Sequence, residues 1–209
     1  MKTELIKRIL SSIILLPLVF YFLLSGSFFL IFLTFILFFI SCYEWNTINK
    51  NKLYKIFGFI FLLFSFYTFY DLSIHLNLLI FVILICISTD IGGYIFGKTF
   101  KGPKLTKISP NKTYAGMIGG YLLALICLSI ILNYIDFKTT PFQLFLITML
   151  LSTVSQVGDI IVSYSKRQTK VKNTGNLIPG HGGLLDRIDG MVFAVPTLYL
   201  IDFAGYINI

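Results

Sequence analysis

The chain is dominated by long apolar runs that are separated by short polar connections. A transmembrane helix needs about 20 mostly apolar residues, and several runs meet or approach that length. They are Ile9–Leu24, Phe28–Trp45, Ile56–Leu72, Ile74–Gly97, Tyr114–Ile135, Phe142–Ser163 and Ile188–Tyr206. No run shows the alternation over roughly ten residues that is typical of a β-barrel strand. The pattern therefore predicts an all-α fold, a polytopic integral membrane helical bundle with about seven transmembrane helices.

No repeat, low-complexity linker or soluble segment interrupts this pattern. We therefore expect residues 1–209 to form a single transmembrane domain. Its amino-terminal spans occupy residues 1–72, and residues 74–207 hold the helices and cytoplasmic loops that carry the candidate chemistry. The longest polar segments, Lys98–Thr113 and Ser163–Arg187, both lie in this second part.

The amino-acid composition excludes several classes of protein. Hydrophobic residues make up 56% of the chain and charged residues only 12%, whereas about a quarter of the residues in a soluble domain are charged. So little polar surface cannot cover a water-soluble globule. Disordered proteins and disulfide-framed secreted domains are excluded by the same figures. We expect the three cysteines, which have no paired spacing, to be packing residues.

The positive charges fall almost entirely on one side of the predicted spans. With seven spans, 16 of the 17 Lys and Arg residues share one side and only Lys138 lies opposite. The positive-inside rule then predicts a multi-pass protein of the inner (cytoplasmic) membrane, with its amino terminus and both long loops in the cytoplasm. Orientation and attraction to anionic headgroups account for most of the net charge of +8. We expect no nucleic-acid partner.

Ionisable residues inside the apolar spans are the first candidates for function, because each costs roughly 2.5–3.5 kcal/mol on insertion scales. Asp90 lies late in the fourth span. Tyr94 and Lys98 follow it at intervals of four residues, which places the three side chains on one helical face. An internal Asp–Lys pair that stabilises the bundle is an equal alternative to a functional role for Asp90.

The sixth span carries a polar stripe along its cytoplasmic half. Its members are spaced three or four residues apart and are Ser152, Ser155, Gln156, Asp159, Ser163 and Lys166. Hydrogen bonds between helices account for the serines and the glutamine. They account poorly for Asp159, because a carboxylate in a low-dielectric environment requires a cation or another partner.

A glycine-rich run precedes the last span. Glycines at Gly180, Gly182 and Gly183 allow backbone N–H groups to approach a ligand, as in phosphate-binding loops. Asp186 and Asp189 follow, and their spacing predicts that they share one helical face. Carboxylates also suit an ordinary helix amino terminus, so this pair alone is weak evidence. Together with Asp159 it offers the carboxylates that hold Mg²⁺, whose other ligands are phosphate oxygens and water.

The predicted cytoplasmic face thus combines acidic residues, a glycine-rich loop and many basic residues, which suits polyphosphate chemistry at a membrane surface. The sequence contains no Walker A motif or nucleophile elbow. Because the chain has only two histidines, His75 and His181, we do not expect a zinc site. His181 either contacts a phosphate or braces its loop.

These motifs resemble the signature of the phosphatidate cytidylyltransferase family, the CDP-diacylglycerol synthases. The later block comprises Ser155–Asp159, Ser163, Ser165–Arg167, Lys172 and the run from Pro179 to Asp189, PGHGGLLDRID. The earlier block comprises Asp90–Tyr94, Gly97, Lys98, Ser109–Thr113 and Gly116. The chain departs from the family pattern at Asn173, where Asp is usual, and at Ala115, where Glu is usual.

The resemblance implies an enzyme that transfers CMP from CTP to phosphatidic acid, which yields CDP-diacylglycerol and pyrophosphate in phospholipid biosynthesis. It implies Mg²⁺ as the cofactor, with K⁺ as a companion cation in some members. The partners implied are CTP, phosphatidic acid and membrane lipid. A homodimer is common among such proteins, and the Phe-rich spans offer surfaces that could pack one.

The resemblance also implies roles for individual residues. Asp159 and Asp186 would hold the metal, with Asp189 close by. The catalytic residues implied are Asp159, Lys166, Arg167, Asp186 and Asp189. The residues implied for substrate or phosphate binding are Asp90, Lys98, Lys112, Ser155, Ser163, Lys172, His181, Gly182, Gly183 and Arg187.

Two other functions compete with this hypothesis. A CTP-dependent polyprenol or phytol kinase would use an alcohol acceptor, which requires a general base near the metal. A cation-coupled transporter would use Asp90 and Asp159 as a relay, but the one-sided charges and the lack of an inverted repeat count against it. A purely structural membrane protein would not require Asp159, the glycine-rich loop and the Asp186–Asp189 pair together.

Overall fold

The computed structural model describes residues 27–106, 108–109, 112–177 and 182–207 of the chain. The helices in these ranges are α1 (Ser27–Ile48), α2 (Lys52–Leu72), α3 (Leu76–Phe100), α4 (Tyr114–Ile131), α5 (Pro141–Gln168), α6 (Leu185–Ile188) and α7 (Met191–Phe203). Five of them, α1 to α5, are long and apolar enough to cross a membrane. The described ranges contain no strand, and an isolated bridge pairs Lys104 with Thr113. The predicted fold class, a helical polytopic membrane protein, is confirmed.

The observed helices cover the middles of the predicted spans and differ from them at the ends. The first predicted span, Ile9–Leu24, lies outside the described residues. Helix α5 continues to Gln168, beyond the predicted end at Ser163. The residues after Ser163 are mostly polar, and a helix can extend past the end of its apolar run through such residues. Helix α4 ends at Ile131, because residues 132–134 form a turn in which the Asn133 amide donates to the Ile130 carbonyl.

The last predicted span is not one continuous helix. Helix α6 ends at Ile188, Asp189 and Gly190 form a turn, and α7 begins at Met191. Glycine has low helix propensity, and Gly190 stands where a side chain would collide with the Ser155 hydroxyl. The prediction that Asp186 and Asp189 share a helical face is therefore wrong, because the helix that contains Asp186 ends before Asp189.

The described chain divides into two compact units. The first unit contains the described residues of Met1–Tyr70 and Ser165–Ile188, and the second contains those of Asp71–Tyr164 and Asp189–Ile209. In the first unit the Trp45 indole donates a hydrogen bond to the Tyr54 carbonyl at 3.2 Å. The rings of Phe38 and Phe66 pack edge to face 5.9 Å apart, so aromatic side chains of α1 contact α2 at two positions. The expectation of a single transmembrane domain stays a prediction.

In the second unit, glycines bring α3 and α4 into close contact. A Cβ atom placed on Gly92 would collide with the Gly119 carbonyl, and one placed on Gly116 would lie 2.7 Å from the Gly93 carbonyl oxygen. Small residues commonly allow transmembrane helices to approach in this way. Helix α4 is capped by Thr113, whose hydroxyl accepts a hydrogen bond from the Gly116 amide at 3.1 Å. The start of α4 is thereby fixed beside α3.

Candidate functional site

In the second unit, the Asp159 carboxylate on α5 forms an ion pair with Lys112. The Lys112 Nζ atom lies 2.5 Å from Asp159 Oδ2 and donates to the Gln156 carbonyl at 3.3 Å. The Ser163 hydroxyl donates to Asp159 Oδ1 at 3.4 Å. Lys112 thus supplies one of the partners that the sequence predicted for Asp159, a cation or another group. The contacts bring together three of the predicted site residues, Asp159, Lys112 and Ser163.

The loop between α3 and α4 folds back on itself and thereby places Lys112. Backbone with positive φ at Lys101 (53°) and Gly102 (94°) turns the chain after α3. The Leu105 amide then donates to the Lys112 carbonyl at 2.8 Å, and the Tyr114 amide donates to the Pro103 carbonyl at 3.2 Å. Hydrogen bonds within the loop therefore define the position from which Lys112 reaches α5.

The other candidates on α3 lie near this ion pair or at the helix end. Asp90 is within Coulombic range of both Asp159 and Lys112. Lys98 contacts Tyr94, since its Nζ atom is 3.4 Å from the Tyr94 hydroxyl and 5.5 Å from the ring centroid. This contact confirms that Tyr94 and Lys98 share a face. No ion pair between Asp90 and Lys98 is seen among the described residues, and the basic residue near Asp90 is Lys112 of the α3–α4 loop.

Ser155 lies in the interior of the second unit. Its side chain is fully buried, and its hydroxyl occupies the space that a side chain at position 190 would need. Gly158, one turn further along α5, similarly approaches the Asp189 carbonyl and the Phe193 ring. These contacts hold α5 beside the Asp189–Gly190 turn and α7. The predicted role of Ser155 in substrate binding stays a prediction.

In the first unit, the Asp186 carboxylate is held by three donors. The Lys166 Nζ atom lies 2.7 Å from Asp186 Oδ1. Asp186 Oδ2 accepts hydrogen bonds from the Thr174 amide at 2.8 Å and the Gly183 amide at 3.1 Å. Only 9% of the Asp186 side chain is exposed, so these donors compensate its charge and fix its orientation.

A second carboxylate, that of Glu44 on α1, is buried against the same loop. Glu44 is 1% exposed. It accepts hydrogen bonds from the Thr174 hydroxyl at 2.6 Å and from the Leu184 and Leu185 amides, both at 2.8 Å. Glu44 is not among the residues predicted from the sequence. The sequence nevertheless indicated this residue as a candidate, because Glu44 is an ionisable residue inside the predicted span Phe28–Trp45.

The remaining predicted residues of the first unit lie around these carboxylates or on the surface. Gly182 adopts a φ of 89°, and it lies close to Asn173 and Asp186. Gly183 is buried against the Thr174 hydroxyl and Glu44. Three basic residues, Arg167, Lys172 and Arg187, are exposed. The predicted contacts of these residues with substrate stay predictions, and His181 lies outside the described residues.

The carboxylates present fit magnesium by their chemistry. Mg²⁺ prefers oxygen ligands and usually binds one or two carboxylates together with phosphate oxygens and water. Asp159 in the second unit and Asp186 in the first unit each offer such oxygens. Within the described ranges no group of three or more His, Cys, Asp or Glu side chains lies together as a metal cage. Either carboxylate taken by itself therefore suits Mg²⁺ only as one ligand among phosphate oxygens and water.

Comparison with known proteins identifies a family. The cytidylyltransferase family matches residues 53–203. This segment contains every predicted site residue, from Asp90 to Asp189, but not Glu44.

Individual relatives are similar over part of their length. The phosphatidate cytidylyltransferase of Staphylococcus haemolyticus is 41% identical over 127 residues, which are 60% of this chain and 49% of that protein. The phosphatidate cytidylyltransferase of Bacillus subtilis is 44% identical over 115 residues, 54% of this chain and 43% of that protein. The chain thus spans about half the length of the curated relatives that it matches.

Proposed function

The chain belongs to the cytidylyltransferase family, and from this membership we propose that it is a CTP:phosphatidate cytidylyltransferase. It transfers CMP from CTP to phosphatidic acid and so acts as a nucleotidyltransferase of phospholipid biosynthesis. The observation that carries the proposal is that all the predicted site residues fall within the matched segment, residues 53–203. Three relatives with this named activity are 40–44% identical to the chain over the regions that they share with it.

The proposed reaction is a direct displacement at the α-phosphorus of CTP. The phosphate monoester of phosphatidic acid is largely ionised at pH 7, so one of its oxygens can attack without a strong general base. A bond forms between that oxygen and the α-phosphorus, the bond from the α-phosphorus to the bridging oxygen breaks, and pyrophosphate leaves. The products are CDP-diacylglycerol and pyrophosphate.

The chain contributes acidic ligands and positive charge to this reaction. We propose Asp159 and Asp186 as carboxylate ligands for Mg²⁺, which when bound would polarise phosphoryl oxygens and offset their charge. Asp189 is proposed to lie near the metal. Lys166 and Arg167 are proposed to neutralise phosphate oxygens, a role for which basic residues are suited because they donate charge-assisted hydrogen bonds.

The orientation in the membrane and the assembly are further parts of the proposal. The one-sided distribution of Lys and Arg supports a bacterial-type inner membrane location with the amino terminus and both long loops in the cytoplasm. In a variant without the native cysteines, a cysteine at Lys138 should react with an impermeant reagent from outside. A cysteine at Lys101 should react only after the membrane is opened. We also propose a homodimer, which cross-linking of the purified protein tests.

The direct test is an assay with purified protein, radiolabelled CTP, Mg²⁺ and micelles that contain phosphatidic acid. We expect a lipid-soluble CDP product that requires both phosphatidic acid and the metal. Replacing K⁺ by Na⁺ in the buffer tests the second cation. A labelled product formed with a polyprenol but not with phosphatidic acid would identify a kinase instead. Cation-coupled uptake into proteoliposomes without CTP turnover would identify a transporter.

A further inference from the structure

Glu44 lies in a buried environment that is energetically unfavourable for a carboxylate. It is 1% exposed, and burying an ionised group costs several kcal/mol unless donors compensate it. It is also close to the carboxyl end of α1, where the helix dipole disfavours negative charge. An apolar residue would fill this position at lower cost, so the contacts that the carboxylate makes are what compensate its burial.

Those contacts all lie on the loop that carries Asp186. Glu44 Oε1 accepts from the Leu184 amide, and Glu44 Oε2 accepts from the Leu185 amide and the Thr174 hydroxyl. Leu185 is the first residue of α6, Leu184 precedes it, and Asp186 is the second residue of the helix. Glu44 therefore caps this short helix from α1 and satisfies donors that have no partner within the helix.

Thr174 connects the two carboxylates. Its hydroxyl donates to Glu44 at 2.6 Å and its amide donates to Asp186 Oδ2 at 2.8 Å. The glycines allow this close approach, because a Cβ atom on Gly175 would lie 2.8 Å from Glu44 Oε1 and one on Gly183 would collide with the Thr174 hydroxyl. The position of the Asp186 carboxylate is thus fixed by a network that is anchored on Glu44.

We propose that Glu44 is a positioning residue for Asp186, which acts by holding α6 and Thr174 rather than by contact with the reacting groups. The inference rests on the proposed function, in which Asp186 is a magnesium ligand. Glu44 lies before the segment that the family matches, which begins at residue 53. The family match therefore does not assign this role, and only the packing of α1 against the loop reveals it.

The test compares Glu44→Gln with a matched control. Glutamine keeps the shape of the side chain but replaces one acceptor oxygen by an NH₂ group, which cannot accept from the backbone amide that it faces. Thr34→Val is the control, because Thr34 is also a buried polar residue of α1 and its hydroxyl donates within the helix to the Leu30 carbonyl. Thr174→Val is a milder second variant that removes one donor to Glu44.

The first readout is amide hydrogen exchange of residues 182–188, measured in detergent without substrate or metal. We expect faster exchange at Leu184 and Leu185 in Glu44→Gln, a smaller increase in Thr174→Val, and the wild-type rate in Thr34→Val. Unchanged exchange in Glu44→Gln would overturn the proposal. So would an equal increase in Thr34→Val, because general loosening would then explain the effect.

The second readout is the Mg²⁺ dependence of CDP-diacylglycerol formation. Loss of a group that orients a metal ligand typically costs about 10–100-fold in metal affinity or activity, so we expect the half-saturating Mg²⁺ concentration to rise by that order in Glu44→Gln. A lower kcat with unchanged Mg²⁺ dependence would overturn the positioning role, because it would indicate only less folded enzyme. If the wild-type protein forms no CDP-diacylglycerol, the proposed function fails, and the exchange measurement still decides whether Glu44 holds the loop.

Discussion

The Lys112 ammonium group lies 2.5 Å from the Asp159 carboxylate, so a residue of the α3–α4 loop neutralises a charge on α5. The first unit has a parallel pair, in which Lys166 lies 2.7 Å from Asp186. Both carboxylates that we propose as magnesium ligands are thus held by a lysine. Each pair compensates the charge of its carboxylate and keeps that carboxylate in a defined position.

Replacing Lys112 by methionine should destabilise the second unit, because Asp159 would lose its cation. The two side chains are 22% and 31% exposed, which places the pair between exposed pairs, worth about 0–1 kcal/mol, and buried pairs, whose disruption costs roughly 3–5 kcal/mol. We expect a loss of about 1–2 kcal/mol, measured by thermal unfolding in detergent. Lys104→Met, at an exposed position of the same loop, is the control. An equal loss in both variants would show that the ion pair contributes nothing.

Asp159→Asn and Asp186→Asn should each abolish turnover while the protein remains inserted in the membrane. Asparagine keeps the size of the side chain but removes the negative charge that Mg²⁺ requires. The measurement is CDP-diacylglycerol formation by purified variants, with membrane insertion checked by fractionation. Asp136→Asn, in the exposed α4–α5 connection, should retain full activity. Full activity in either of the first two variants would remove the metal role of that residue.

Gly92→Ala should destabilise the α3–α4 contact, whereas Gly93→Ala should be tolerated. An added Cβ would collide with the Gly119 carbonyl in the first case but would lie 3.7 Å from the Gly116 carbonyl oxygen in the second, an ordinary contact. Overpacking of this kind costs about 1–3 kcal/mol. Thermal unfolding of the two variants measures the difference. Equal midpoints would mean that the helices are not in close contact at Gly92.

Gly183→Ala should weaken activity through the Glu44 network. The added methyl group would collide with the Thr174 hydroxyl and with Glu44, so that the Asp186 carboxylate would lose its fixed orientation. We expect faster amide exchange at residues 182–188 and a higher Mg²⁺ requirement, as in Glu44→Gln. Asn176→Ala, at an exposed position before this loop, should behave like the wild type. Wild-type exchange in Gly183→Ala would contradict the close packing around Gly183.

Substitution of Lys166 should act on both stability and activity, because its ion pair with Asp186 is nearly buried. The two side chains are 11% and 9% exposed, so removal of the lysine alone leaves an unpaired buried charge and costs roughly 3–5 kcal/mol. The double variant Lys166→Met with Asp186→Asn should recover part of that stability, because it removes both charges. Chemical denaturation of the single and double variants measures the coupling. Strict additivity would show that the two side chains do not interact.

The sequence alone determined the fold class and most of the candidate residues. Apolar runs of membrane-spanning length leave little choice for a backbone that must satisfy its own hydrogen bonds in lipid, and α1 to α5 lie where those runs predict them. The polar stripe on α5 pointed to Asp159, because charged residues are rare in apolar surroundings, and the PGHGGLLDRID run pointed to Asp186.

Tertiary structure decided which groups surround these residues. Lys112 reaches Asp159 only because the α3–α4 loop folds back, and Glu44 meets Thr174 across a long interval of sequence. The periodicity of one helix cannot report such contacts, since it orders residues only along that helix. The break after Ile188 was equally hidden, because a glycine in an apolar run does not by itself end a helix. Gly190 lies in the turn, where it packs so closely against the Ser155 hydroxyl that a side chain would not fit. The helix that carries Asp186 ends before this turn, and Asp189 lies within the turn.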